Sequence, residues 1–63
     1  MLITLPDGAQ RDFALGSTGL DIAKSISEGL ARNAVGIVVN QIPYDLSRPI
    51  NHDASIRILT MNL

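Results

Sequence analysis

In the opening stretch "MLITLPDGAQRDF" a short, mostly apolar run over residues 1–5 meets Pro6-Asp7-Gly8, and a second short run, polar at Gln10, Arg11 and Asp12, ends in the apolar Phe13. Two short runs on either side of a strong turn signal predict a β-hairpin. Pro6 presets φ at the first central position of a type I turn and Asp7 takes the second. Gly8 then accepts the left-handed conformation and forms a bulge. This register sets Leu5 opposite Ala9, Ile3 opposite Arg11 and Met1 opposite Phe13. Met1, Ile3, Leu5 and Phe13 share one face, and Thr4, Gln10 and Asp12 share the other.

The period then changes. In "LGSTGLDIAKSISEGLARNAVG" the apolar residues Ile22, Ala23, Ile26 and Leu30 fall at helical spacing. Thr18 or Ser17 can cap the start, and Asp21 follows Thr18 by three residues with a charge suited to a helix N-terminus. Gly29 is predicted to interrupt the run, leaving one helix over about 19–27 and a short helical turn over about 29–34. Gly36 is predicted to stop the helical segment. Ile37, Val38 and Val39 are β-branched and predict a strand. Asn40-Gln41 reads as a tight turn, because Asn tolerates positive φ. Pro43 cannot donate to a ladder, so the strand over about 42–44 is short or at an edge. "SRPINHDA" reads as loop. In "SIRILTM" Ile56 and Ile58 point inward and Arg57 outward.

The element order is β-β-α-β-(β)-β. It predicts an α+β fold, a mixed sheet of four to five strands with one main helix packed on one face. Its most economical form is a β-grasp (ubiquitin-like) fold, with the last strand beside the first and parallel to it in the middle of the sheet.

Composition narrows the range of functions. The 63 residues contain no Cys, which removes disulfide and thiolate–metal staples, and Phe13 and Tyr44 are the only aromatics, so the core is aliphatic. Sixty-three residues make one domain. Five Lys/Arg against six Asp/Glu give a net charge of −1, which argues against an autonomous nucleic-acid binder. No apolar stretch is long enough to cross a membrane, and Met1 leads straight into a strand pattern without a signal peptide. The expected location is cytoplasmic.

Candidate chemistry is sparse. His52 is the only His and has no partner at ligand spacing, so it reads as a solvated loop residue. Ser17, Ser25, Ser27, Ser47 and Ser55 sit in cap, helix or loop contexts, outside any nucleophile-elbow pattern. The glycines form neither a dinucleotide fingerprint nor a P-loop. Lys24, Arg32, Arg48 and Arg57, beside Arg11, are the basic residues available to RNA, and solvated surface charge is the competing reading of each. Tyr44 can stack a base, or cover the core edge with its hydroxyl in water. No catalytic, cofactor-binding or metal site emerges, so a binding or accessory module is expected.

In order and spacing, several pieces together resemble the TGS domain found at the start of bacterial threonyl-tRNA synthetases. These are the Leu-Pro-Asp-Gly turn, the Asp-Ile-Ala helix start, the Ile-Ser-x-Gly-Leu-Ala break, the Val-Asn turn and the Asp-Ala approach to the last strand. The resemblance runs from about Ile3 to Thr60. Gln41 stands where the family usually has Gly, and Pro49 lies in a variable loop. The resemblance implies a β-grasp domain excised from a larger threonine–tRNA ligase, a homodimer that uses ATP and carries zinc in its catalytic domain. No cofactor is expected in this fragment, which is expected to be a monomer. Its implied partners are tRNA(Thr) and a neighbouring editing domain, with no membrane, and its candidate RNA contacts are Lys24, Arg32 and Arg57. The alternatives are the TGS domain of a (p)ppGpp synthetase/hydrolase or of an Obg-related GTPase. A β-grasp sulfur carrier needs a Gly-Gly carboxy end, and this chain ends "LTMNL".

Overall fold

The turn at Pro6-Asp7 sets the register of everything N-terminal. In the computed structural model, which describes residues 1–61, strand β1 (Leu2–Thr4) pairs antiparallel with β2 (Gln10–Asp12). Ile3 faces Arg11, as the turn chemistry requires. The Gly8 N–H donates to the Leu5 carbonyl at 2.9 Å and the Leu5 N–H to the Ala9 carbonyl at 2.8 Å. Gly8 adopts φ +89°, a conformation open to glycine because no Cβ crowds its carbonyl. The Phe13 N–H reaches the Met1 carbonyl at 2.9 Å and carries the pairing past the strand ends. Asn62 and Leu63, the last residues of the end weighed against a Gly-Gly tail, lie outside the described residues.

Helix α1 (Gly19–Ile26) begins in a reciprocal capping box. The Asp21 N–H donates to the Thr18 hydroxyl at 3.2 Å, and the Thr18 N–H donates to the Asp21 carboxylate at 3.0 Å. The helical run does break, but not at Gly29. The break is at Ser27, which is extended at φ −166° and ψ 151°. Its N–H closes α1 on the Ala23 carbonyl at 3.0 Å, while its hydroxyl accepts the Leu30 N–H at 2.9 Å. One serine therefore ends α1 and starts α2 (Glu28–Asn33), and Gly29 lies within α2 in open space. Gly36 does not stop the helix either. The helix ends at Asn33, and Gly36 lies inside β3 (Ala34–Val39), beside a bulge.

Asn40 (φ 49°) and Gln41 (φ 70°) both take positive φ, the pattern of a type I′ turn, and lead into β4 (Ile42–Tyr44). Strand β5 (Ala54–Thr60) closes the sheet, whose order is β2-β1-β5-β3-β4. Only β1 and β5 are parallel, with Ile3 opposite Ala54, so the sheet is mixed and its last strand is central.

On β3 and β5 one set of alternating β-branched residues faces the helical side of the sheet. The pairs Ile37–Ile58 and Val39–Ile56 share a face, and a Cβ added at Gly19 would lie 2.8 Å from Ile37. The core comprises Ile3, Leu5, Ile22, Ala23, Ile37, Val39, Ile50, Ala54 and Ile56. Each fully buried Ile or Val contributes about 1.5–3 kcal/mol. Ile50 departs from the loop reading of "SRPINHDA". Its side chain is fully buried, and its backbone is pinned by Gly16 N–H to Ile50 O at 2.8 Å and Ile50 N–H to Ser17 O at 2.9 Å. No helix of the described residues is long and apolar enough to cross a membrane.

Candidate functional site

The three candidate RNA contacts do not converge. Lys24 projects from α1 and Arg32 from α2, and together with Leu20, Glu28 and Ala31 they line a shallow depression on the helical layer. Arg57 sits on the opposite side of the sheet. Its neighbours Ile56 and Ile58 face the helices, and strand alternation turns Arg57 outward beside Val38. One RNA strand passing over the helical face cannot also reach Arg57 without wrapping the sheet edge.

The helical-face cations work in a mixed field. Glu28 lies between them, and Asp21 sits one turn from Lys24. The Thr18 backbone N–H, then its hydroxyl, hold the Asp21 carboxyl below its ordinary pKa, and Lys24 adds a smaller push in the same direction. Asp21 is therefore charged at neutral pH. Neither Lys24 nor Arg32 has a carboxylate within 4.0 Å, since the one ion pair among the described residues joins the Met1 amine to Asp12 at 3.1 Å.

The remaining candidates resolve into local roles. His52 is exposed, with Nδ1 3.0 Å from the Asp53 carbonyl oxygen. Ser17 and Ser25 donate to the Ala14 and Ile22 carbonyls, at 2.8 and 2.7 Å. The Ser47 hydroxyl and then its N–H bind Asp45, and hold that carboxyl below its ordinary pKa. Tyr44 packs half-buried against the core, with the Arg48 guanidinium 3.8 Å from its ring centroid. One face of the ring is thus already covered, which removes it as a platform for a base on that side. The four-residue spacing of Tyr44 and Arg48 was visible in the sequence, but their stacking depends on the Asp45–Ser47 turn. Arg11, opposite Ile3 on the helix-facing side, directs Nη1 to the Ser25 carbonyl at a long 3.5 Å, near the negative end of α1. Among the described residues no three His, Cys, Asp or Glu side chains come together as a metal site.

Comparison with known proteins matches residues 1–60 to the model of the TGS domain. Over 60 residues, 95% of this chain, it is 48% identical to a threonine–tRNA ligase of Prosthecochloris aestuarii. Over the same length it is 50% identical to the threonine–tRNA ligases of Desulforamulus reducens and Cytophaga hutchinsonii. In each case the chain spans only 9% of the relative's length.

Proposed function

The chain belongs to the TGS domain family, and from that premise we propose that it serves as the accessory amino-terminal module of a threonine–tRNA ligase. The observation that supports this most is near-complete coverage of this chain, at about half identity, by a small part of much longer ligases. In this reading the parent enzyme attaches threonine to tRNA(Thr) in the cytoplasm as a homodimer. In the same reading, ATP and zinc belong to the parent's catalytic domain. An editing domain is the neighbour in the chain.

The module's contribution to tRNA is a weak contact through the helical face. Lys24 and Arg32 lie on one depression and have no carboxylate partner within 4.0 Å among the described residues. Two cations neutralise two phosphates, so the affinity should fall with salt at a logarithmic slope of about −1.4 to −1.8. The test is to titrate acceptor-arm RNA of tRNA(Thr) into the 63-residue chain and follow backbone amide shifts at low and moderate salt. Salt-sensitive shifts around Lys24, Ala31 and Arg32, abolished by Lys24→Glu with Arg32→Glu, are expected. An unperturbed helical face would leave the module as a spacer between domains.

A further inference from the structure

We propose that the uncovered sheet face around Arg57 docks an acidic peptide segment of a protein partner. The guanidinium would pair with a carboxylate while apolar neighbours of that carboxylate pack on Val38 and Pro43. This surface lies on the far side of the sheet from Lys24 and Arg32 and does not depend on the RNA reading.

Both helices pack on the side of the sheet that carries Ile37, Val39 and Ile56, and no layer of the described residues covers the other side. There Val38, Asn40, Gln41, Pro43, Ser55 and Arg57 line an open depression of about 650 Å³. Val38 pairs with Arg57 on one side and with Pro43 on the other, so an apolar strip runs outward from the cation toward the β4 edge. Leu59, half-buried, extends the apolar surface two residues along β5. The rim is held in place, because the Asn40 side-chain carbonyl accepts the Ser55 N–H at 2.9 Å and the Asn40 N–H reaches the Ser55 carbonyl at 2.9 Å. Arg57 itself projects from the central strand and, among the described residues, has no carboxylate within 4.0 Å.

Charge complementarity and composition select the occupant. A guanidinium binds a carboxylate through two parallel N–H···O bonds, and an Arg flanked by apolar carbon is a common anchor of protein interfaces. RNA fits this face poorly. One cation neutralises one phosphate, and both aromatics of the chain lie on the other side, Tyr44 opposite Ile37 and Phe13 opposite Met1.

The test uses the 63-residue chain labelled for amide and guanidinium NMR. The probes are a capped pentapeptide alternating leucine and glutamate, its leucine–lysine counterpart, and an oligouridine. The glutamate peptide is expected to shift the amides of Val38, Ser55 and Arg57 and the Arg57 Nε signal. Arg57→Glu is expected to weaken that binding at least about tenfold, and Arg57→Lys to weaken it less, since it keeps the charge but not the fork. Arg57 is exposed, so both variants should keep the fold, which the unshifted core amides of Ile37 and Ile56 would verify. Equal shifts with the lysine peptide, shifts of this face by oligouridine, or no shifts with the glutamate peptide would each overturn the proposal.

Discussion

At the scale of single residues, backbone conformation discriminates sharply between neighbours. Gln41 carries φ 70° in the turn between β3 and β4, while Asn40 carries φ 49°. Asn accepts the left-handed region because its short amide bonds locally, and here that amide holds Ser55. Among the described residues Gln41 makes no such bond, and it is exposed, so it bears the steric cost of the left-handed region, about 1–2 kcal/mol, without return. Glycine removes that cost and adds about 0.5–1 kcal/mol of backbone entropy loss. Gln41→Gly is therefore expected to stabilise the chain by about 0.5–1 kcal/mol, raising its melting temperature by a few degrees. A calorimetric scan showing no rise would mean that Gln41 has a compensating contact.

At the scale of elements, local signals were readable and tertiary ones were not. The hairpin register, the capping box and the Asn40-Gln41 turn each depend on residues within a few positions of one another, so their chemistry is written in the chain. The helix break was misplaced because Ser27 and Gly29 are both breakers. Gly29 is tolerated where nothing packs on it, whereas the Ser27 hydroxyl supplies an acceptor that an orphan N–H needs. The capping box also makes a pH prediction. The Thr18 N–H and hydroxyl depress the folded-state pKa of Asp21. A depressed carboxyl contributes stability that is fully present above its unfolded value and is lost as pH falls through its folded one. Stability should therefore decline from about pH 4 downward. Asp21→Asn should lower stability at neutral pH and flatten that acid limb. Urea unfolding of both forms across the acid range would show it, and parallel pH profiles would reject the assignment. Asp21 is exposed, so solvent screening keeps the effect small.

At the scale of the whole molecule, the central parallel pair of β1 and β5 was inferred from element order, because a hairpin, a crossing helix and a returning strand have few ways to share one sheet. Ile50 was not inferred, since one apolar residue in a polar loop has no period to betray it. That Arg57 points outward followed from alternation, but its separation from Lys24 and Arg32 required knowing which face the helices cover. The same topology leaves two open edges, β2 and β4. Beside a two-residue type I′ turn, Val39 and Ile42 form the hydrogen-bonded pair, Val38 and Pro43 the non-bonded pair, and Ile37 and Tyr44 the next bonded pair. The N–H groups of Ile42 and Tyr44 thus point inward to β3, and the only outward position in this strand belongs to residue 43. Proline there leaves the edge without a donor, although Ile42 offers exposed apolar surface to a pairing strand. Pro43→Val should restore the donor, keep the turn and the core, and make the chain self-associate through β4 as concentration rises. Sedimentation of the two forms over a concentration series checks this. Equal profiles would show that the edge is protected by its short length, with proline incidental.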